Sequence, residues 1–313
     1  MTKPLKKPAP VGSFRLSRPQ LTSSLHFTHT KKIFWPEENI TKGDVIAYYD
    51  SISPYILPYL KDRPLVLNRQ PDGAMKKGFY QKDTSREHLP PFVKTVTIEA
   101  LTTRKRIRYV VADNKETLLW AANFGCIEMN PWQSRVTSLG KPDYVTFDLD
   151  PHGRSFDDVV EVALGFKAIL DKAGVKIYVK TSGKTGMHLM VPLGAEYTYL
   201  QARNFAKLMA QYANRAMPDL TTLEQRLEKR KGRIYIDIAR NALAQTTASV
   251  YSLRPYPGAT VSTPLEWKEV KKGLRPSQFT IRTILPRLRK KGDLFRHLLI
   301  QKADLDKAAK ISL

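Results

Sequence analysis

The segment between residues 143 and 239 alternates between two hydrophobic periods in an order that is typical of one kind of sheet. Four short runs have apolar residues at strand spacing, and two longer runs have them at helical spacing. In chain order the runs read DYVTFDLD, SFDDVVEVALGFKAILDKAG, VKIYVKTS, MHLMVPL, TYLQARNFAKLMAQYANRAM and GRIYIDIA. The order strand, helix, strand, strand, helix, strand predicts an antiparallel sheet of the ferredoxin-like or RNA-recognition-like type. Such sheets serve many unrelated functions, so individual side chains have to indicate the function.

Acidic residues lie in the first and the last of these predicted strands. Residues i and i+2 of a strand point to the same face, so Asp148 and Asp150 share a face, and the isoleucines of the last strand leave Asp237 on its polar face. Three carboxylates on one open face would repel one another unless divalent cations lay between them, and Mg²⁺ and Mn²⁺ prefer such oxygen ligands. The alternative for the first pair is a strand edge that enters a turn, since Asp-Pro often opens turns.

The loop TSGKTGMH between the two central strands contains residues that suit phosphate binding. Its glycines would let backbone N–H groups approach a phosphate closely, and Lys184 would offset the negative charge. Ser182 and His188 add a hydroxyl and an imidazole. The spacing is not that of a Walker loop. The alternative is a glycine-rich hairpin turn beside a core histidine.

The net charge of +23, from 52 basic and 29 acidic residues, favours a polyanionic partner. No acidic residue precedes Glu37, and residues 267–296 carry ten basic residues against two acidic ones. Nucleic acid is therefore the expected partner, although any one basic cluster could be a solvated face. We expect no membrane association, because no apolar run approaches the roughly 18 residues that span a bilayer. The single cysteine, Cys126, excludes an internal disulfide and fits a reducing cytoplasm.

The remaining segments predict an α+β fold with two modules. Residues 1–25 are rich in Pro, Ser and Lys and indicate a flexible basic tail. A helix begins after Thr41, whose spacing to Asp44 is that of a capping box; a strand follows in RPLVLNRQ, and a short helix ends at Gly125. We therefore expect one compact domain over 26–300, with an N-terminal α/β module (about 26–140), a sheet module (about 141–300) and a C-terminal tail (301–313).

Four blocks, in this order along the chain, resemble one known family: FGCIEMNPWQSR, DYVTFDLDP, KTSGKTGMHLMVPL and IYIDIARNALAQTTASVYSLRPYPGATVSTPLEW. They resemble the polymerase domain of bacterial DNA ligase D, a member of the archaeo-eukaryotic primase superfamily, over about 28–296. The resemblance implies a primase-polymerase fold, with an RNA-recognition-like catalytic sheet packed by helices and a smaller N-terminal α/β module. It also implies a template-directed nucleotidyltransferase that adds ribo- or deoxyribonucleotides to DNA 3′ ends at gaps and breaks in non-homologous end joining.

The same resemblance implies roles for individual residues. Asp148, Asp150 and Asp237 would be catalytic and hold the metal ions, preferably Mn²⁺ and otherwise Mg²⁺, in a two-metal mechanism that uses nucleoside triphosphates. The 5′-phosphate of a gap would be held by Lys32 and Lys42. The nucleotide-binding residues would be Ser182, Lys184, His188, Arg230, Arg240, Arg254, Phe79, Tyr80, Arg69, Lys82 and Asn130, with the aromatic pair stacking on a base.

The sequence departs from the family pattern at three positions. Asn130 stands where many members have a histidine, and Arg240 stands where a glutamine is often found. The lysine of the SGKTG loop lies one position earlier than in some members. No carboxylate is lost.

The resemblance also implies partners. These are DNA with gaps or 3′ overhangs, the end-binding Ku protein and a DNA ligase, in the bacterial cytoplasm at the nucleoid. The chain would be a free-standing polymerase or one domain of a larger ligase. Two other functions stay open: a catalytically silent protein that bridges DNA ends, and a metal-dependent nuclease, since two-metal chemistry also hydrolyses phosphodiesters.

Overall fold

The computed structural model describes residues 25–100 and 103–309. The predicted tail over 1–25 lies outside these residues except for Leu25, and so do residues 310–313. Helices and largely antiparallel sheets are both present, which confirms the predicted α+β class. In the described part of the chain, no helix is long and apolar enough to cross a membrane.

The four strands and two helices predicted over 143–239 occur in the predicted order, and further helices and strands accompany them. The helices are α1 (Lys42–Leu60), α2 (Lys115–Asn123), α3 (Phe156–Lys172), α4 (Tyr199–Ala216), α5 (Ile284–Lys291) and α6 (Leu305–Ala309). The strands are β1 (Ile33–Trp35), β2 (Ile40–Thr41), β3 (Pro64–Arg69), β4 (Phe79–Gln81), β5 (Lys94–Glu99), β6 (Arg106–Val111), β7 (Cys126–Pro131), β8 (Tyr144–Asp150), β9 (Tyr178–Thr181), β10 (Met187–Pro192), β11 (Thr221–Thr222), β12 (Ile234–Asp237) and β13 (Pro264–Leu265).

The six-stranded sheet has the order β11-β12-β8-β10-β9-β13. Its four central strands are the four predicted ones, and the first and last of them, β8 and β12, are antiparallel neighbours. Two-residue strands, β11 and β13, extend the sheet at its edges. Of the pairings in this sheet, only β11 with β12 is parallel.

Helices α3 and α4 cover one face of this sheet, and no helix of the described residues covers the carboxylates on the other. Phe147 of β8 and Phe166 of α3 pack with their ring centroids 4.9 Å apart, and both are fully buried. Both helices begin at capping boxes, at Ser155 for α3 and at Thr198 for α4. Because strand side chains alternate, the residues next to Phe147 and Leu149 point to the uncovered face.

The second sheet has the order β4-β3-β6-β5, with β7 also paired to β3. Helix α1, which packs against α2, begins at the predicted capping box of Thr41 and Asp44. Two buried tyrosines of α1 tie the modules together: Tyr48 donates to the carbonyl of Tyr251, and the Tyr49 hydroxyl accepts a hydrogen bond of 3.1 Å from the backbone N–H of Leu253. One hydrophobic core cluster includes residues from Phe34 to Ala308, and so it contains side chains of both predicted modules.

The predicted C-terminal tail contains a short helix in its described part. Leu305 of α6 is buried in the core, and so is Ala303 just before it. The backbone N–H of Ala303 donates to the carbonyl of Pro192, at the end of β10. The chain therefore returns to the six-stranded sheet after residue 300.

Candidate functional site

A cavity of 530 Å³ lies where the open face of the six-stranded sheet meets the second sheet. Its lining includes twelve of the sixteen predicted site residues: Tyr80, Lys82, Asn130, Asp148, Asp150, Ser182, Lys184, His188, Arg230, Asp237, Arg240 and Arg254. The four that do not line it are Arg69, Phe79, Lys32 and Lys42. The structure therefore brings together the three acidic residues, the loop and most of the arginines that the sequence singled out.

The strand register places the central polar residues in one row. Asp237 of β12 is opposite Asp148 of β8, Asp148 is opposite His188 of β10, and His188 is opposite Lys180 of β9. Residues paired across neighbouring strands share a face of the sheet. Asp150, two residues beyond Asp148, lies on the same face, as the alternation predicted.

Asp148 is the carboxylate whose titration the site changes. Burial, together with the nearby Asp237 and Asp150 carboxylates, raises the pKa of Asp148 to about 6. Arginines engage the other two carboxylates. Arg230 Nη1 lies 2.9 Å from Asp150 Oδ2, and Arg240 Nε lies 3.3 Å from Asp237 Oδ2.

The donor set suits a hard divalent cation, since it consists of carboxylates whose mutual repulsion a cation would relieve. In the described residues, however, no three His, Cys, Asp or Glu side chains are gathered so that they could hold a metal ion. Guanidinium groups form ion pairs with two of the three carboxylates. The residue types and their shared face fit a metal site. In the structure, however, two of the carboxylates are paired with arginines instead.

The loop after β9 is a tight hairpin that depends on its glycines. The Ser182 hydroxyl accepts hydrogen bonds from the backbone N–H groups of Lys184 (3.2 Å) and Gly186 (3.1 Å). A Cβ at Gly186 would lie 2.1 Å from the carbonyl oxygen of Leu149, so only glycine lets the loop lie against β8. The predicted hairpin is confirmed, and the loop also lines the cavity.

His188 is buried beside the carboxylates and keeps one nitrogen without a partner. Its Nε2 lies 3.4 Å from Asp148 Oδ1, while Nδ1 is buried and makes no hydrogen bond in the described structure. Burial lowers the pKa of His188 well below its usual value, and the positive charges of Lys180 and Arg254 lower it further. The imidazole is therefore neutral near pH 7, and His188 lines the cavity.

Two charged residues of the site were missed in the sequence. Glu128 of β7 is 2% exposed, and its Oε2 accepts a hydrogen bond of 2.8 Å from Arg254 Nε. Arg254 also donates to the Ser182 carbonyl, so the pair links the second sheet to the loop. Lys180, 1% exposed, donates to Ala248 O (3.1 Å) and to the Ser262 hydroxyl. Burial is the main reason why the pKa of Lys180 lies far below its usual value.

The aromatic pair lies on β4, at the edge of the second sheet. Phe79 is 47% exposed and Tyr80 is 60% exposed, which is unusual for large aromatic side chains. The guanidinium of Arg69 stacks on Phe124 (3.4 Å from the ring centroid) and lies 5.2 Å from the centroid of Phe79. Arg69 thus packs against Phe79 of β4 without lining the cavity, whereas Tyr80 lines it.

The two lysines predicted to grip a 5′-phosphate lie together at the start of α1, away from the cavity. Lys42 Nζ donates to Thr28 O (2.7 Å), and Lys32 Nζ donates to Pro71 O (2.7 Å) and Asp72 Oδ1 (3.1 Å). Burial lowers the pKa of Lys42, and the charge of Lys32 lowers it further. Lys32 lies close enough to Lys42 to act on it in this way, and two neighbouring ammonium groups suit one shared anion.

Comparison with known proteins agrees with this geometry. The family model of the LigD primase-polymerase domain matches residues 41–295. The chain is 34% identical over 271 residues to the bifunctional non-homologous end joining protein LigD of Bacillus subtilis, covering 86% of this chain and 43% of that protein. It is 30% identical over 295 residues to the multifunctional LigD of Mycolicibacterium smegmatis, covering 92% and 37%.

A solved structure shows the same fold. The polymerase domain of Mycobacterium tuberculosis ligase D, solved in complex with DNA, superposes with a TM-score of 0.83 at 28% identity, over 90% of this chain and all of that one. This match confirms the predicted primase-polymerase fold. The chain spans less than half the length of the two LigD proteins that it matches. The family model, the relatives and the shared fold together establish that this chain belongs to the LigD primase-polymerase domain family.

Proposed function

We propose that the chain is a template-directed nucleotidyltransferase that extends DNA 3′ ends at gaps and breaks in non-homologous end joining. The observation that carries the proposal is the row of side chains across β12, β8 and β10. It sets three carboxylates beside a loop and an arginine that suit a triphosphate. Membership of the LigD primase-polymerase family supports the same activity.

The chain's own residues would bind and orient the nucleotide. The triphosphate would lie along the Ser182–Gly186 turn, against Lys184 and Arg254, with the neutral His188 offering its free nitrogen. The bond between the DNA 3′-oxygen and the α-phosphorus forms, the bond from that phosphorus to the bridging oxygen breaks, and pyrophosphate leaves. The hydroxyl proton passes to solvent. Catalysis of this kind comes mainly from positioning and charge stabilisation.

Mn²⁺ or Mg²⁺ held by Asp148, Asp150 and Asp237 would neutralise the charge on the reacting phosphate. Arg230 and Arg240 would then have to leave the carboxylates that they now pair with. Each guanidinium can turn to a phosphate oxygen, for which its planar donors are suited. Arg240, which replaces the family's frequent glutamine, thus adds a positive charge at the nucleotide.

The remaining predicted residues would engage DNA. Phe79 and Tyr80 would stack on a base without selecting its identity, since every base has a π-face. Lys32 and Lys42 would hold the 5′-phosphate across a gap. We include Ku and a DNA ligase as partners and the bacterial nucleoid as the location, by analogy with the end-joining relatives.

Primer extension on gapped DNA tests the proposal. We expect manganese-dependent incorporation opposite the template, stimulated by a 5′-phosphate across the gap, with Asp148→Ala inactive and still able to bind DNA. The substitution Lys32→Gln should remove the stimulation and leave incorporation on unphosphorylated gaps unchanged. No incorporation by the wild type, or full activity of Asp148→Ala, would contradict the proposal.

The arginine-paired carboxylates favour one second candidate, a DNA end-binding protein without catalysis. That protein would bind DNA with a strong salt dependence and would add no nucleotide. Incubating labelled DNA without nucleotides in the same experiment would reveal a nuclease.

A further inference from the structure

A second cavity, of 420 Å³, adjoins the first. Both cavities are lined by Asp150, Pro151, Lys184 and Thr185, so the proposed triphosphate loop forms part of the wall between them. The other walls of the second cavity come from the loop after β8 and from residues 256–260 and 275–277. None of the predicted site residues outside the shared set lines this second cavity.

Basic side chains line the second cavity, and two of them, Arg154 and Arg275, are held by hydrogen bonds. Arg154 Nε donates to Gly232 O (2.7 Å) and its Nη2 donates to Asp219 O (3.0 Å). Within the described residues neither Arg154 nor Lys184 forms an ion pair with a carboxylate, so both charges remain available to an anion. Arg275, by contrast, forms a bidentate ion pair with Asp157 (2.7 and 3.0 Å), so it lines the cavity with its charge already neutralised.

The order of the strands fixes the direction in which a leaving group would travel. In the order β12-β8-β10-β9, Asp237 lies on one side of Asp148 and Asp150, and the Ser182–Gly186 turn, which joins β9 to β10, lies on the other. The attacking and leaving oxygens of phosphoryl transfer are roughly in line. If the triphosphate lies on the turn, the 3′-oxygen approaches from the β12 side and pyrophosphate leaves towards Lys184 and Thr185, where the second cavity begins.

We propose that the second cavity is the site that receives pyrophosphate after nucleotidyl transfer. The inference rests on the proposed function, because the transfer reaction supplies the pyrophosphate. Arg154 and Lys184 attract the anion, and the hydroxyls of Thr185 and Ser277 can donate to its oxygens. The site gives the product a route to solvent that passes Asp150 but not the aromatic strand β4.

Charge substitutions at Ser277 test this inference without touching the proposed catalytic residues. Ser277 is exposed and lines only the second cavity. Binding of inorganic pyrophosphate to the full chain would be measured by isothermal titration calorimetry with Mg²⁺ present, for the wild type, Ser277→Glu and Ser277→Lys. Matched controls are Asn204→Glu and Asn204→Lys, at an exposed position of α4 that lines neither cavity.

We expect Ser277→Glu to raise the pyrophosphate Kd about fivefold and Ser277→Lys to lower it by a similar factor, as for one charge at short range in a partly solvated site. The Asn204 variants should shift the Kd by far less, and a non-hydrolysable nucleoside triphosphate should respond less than pyrophosphate to the Ser277 variants. Opposite shifts cannot arise from misfolding. Equal pyrophosphate affinity in all five proteins, or equal shifts for pyrophosphate and triphosphate, would overturn the inference.

The measurement needs neither DNA nor turnover, so its failure differs from failure of the proposed function. If the Ser277 variants shift the pyrophosphate Kd in opposite directions but the wild type extends no primer, the second anion site stands and the proposed activity is wrong. If the wild type extends primers but the Ser277 variants bind pyrophosphate as it does, the proposed activity stands and the second site is wrong.

Discussion

Arg254 is the residue that joins the two sheets at the cavity, and Glu128 fixes its direction. The Nε–Oε2 distance of 2.8 Å, with both groups buried, leaves the guanidinium little freedom. A charge-assisted hydrogen bond of this kind is stronger than a neutral one. We therefore expect Glu128 to act on the nucleotide through Arg254, as a positioning residue.

The substitution Glu128→Gln should raise the KM for nucleoside triphosphate about tenfold and change kcat by less than threefold, because it releases Arg254 and leaves the carboxylates in place. Glu128→Asp, which keeps the charge, should recover part of the loss. Steady-state kinetics at saturating DNA would measure both constants. A fall in kcat with an unchanged KM would mean that the residue does not act through nucleotide binding.

Asp148 connects the site to stability through its raised pKa of about 6. Because the folded-state pKa lies above the ordinary carboxyl value, the stabilising contribution is fully present below about pH 4 and is lost as the pH rises through about 6. In metal-free protein at pH 7 to 8, Asp148→Asn should therefore raise the free energy of unfolding by about 1–3 kcal/mol. The gain should shrink as the pH falls towards 4.

Thermal unfolding in the presence of a chelator, between pH 4 and pH 8, would measure this effect. Asp157 is the control of opposite sign, because hydrogen bonds from Arg275 and from the Gly273 N–H lower its pKa to about 2. Asp157→Asn should lower the melting temperature at pH 7, and the loss should persist until the pH falls well below 4. A stabilising effect of Asp148→Asn that did not vary with pH would refute the explanation.

At the residue scale, the sequence predicted the shared face of Asp148, Asp150 and Asp237, because alternation along a strand is local. It did not predict that Lys180 and Glu128 belong to the site. Lys180 joins the row through its register with His188, and Glu128 arrives from another sheet. Register and sheet packing are non-local, so no pattern within one strand contains them. The alternation of β7 does put Glu128 on the same face as Asn130, and this was the available signal.

At the scale of elements, the local signals were the reliable ones. The capping box predicted from the sequence at Thr41 is present, because a cap needs only residues three apart. The edge strands β11 and β13 were not predicted, since two residues carry no detectable period. Their pairing is decided by the neighbouring strands rather than by their own sequence.

The hairpin between β9 and β10 yields a prediction at this scale. Gly186→Ala would place a methyl group 2.1 Å from the carbonyl oxygen of Leu149, so the hairpin must move away from β8. We expect a loss of about 1–3 kcal/mol in unfolding free energy, as for an overpacked core, together with weaker nucleotide binding. Gly140→Ala is the matched control, because a Cβ there meets no atom within 4 Å.

Chemical denaturation and nucleotide titration of the two variants would decide the matter. The control should be neutral or slightly stabilised, since alanine reduces the freedom of the unfolded chain. If Gly186→Ala kept both its stability and its nucleotide affinity, the close approach of the loop to β8 would not position the Ser182–Gly186 turn.

At the scale of the whole molecule, the division into two modules inside one compact domain remains a prediction from the sequence. The contacts between the modules nevertheless favour joint unfolding. Arg63, just before β3, is fully buried and forms an ion pair with Asp143, just before β8. It also donates to the carbonyls of Trp132 (3.3 Å) and Gln133 (2.6 Å). The sequence could not reveal this pair, because its partners are joined only by the packing of the modules.

We therefore expect one unfolding transition for the whole chain, and we expect Arg63→Met to shift it by about 3 kcal/mol, because Asp143 would lose a buried partner. Three of the four tryptophans lie in the N-terminal module, so fluorescence reports mainly on that module, while far-UV circular dichroism reports on both. Urea curves from the two probes should coincide in both proteins. Lys94→Met, which removes an exposed pair with Asp113, should cost less than about 1 kcal/mol. If Arg63→Met separated the two curves, the modules would unfold independently, and the prediction of a single domain would be wrong.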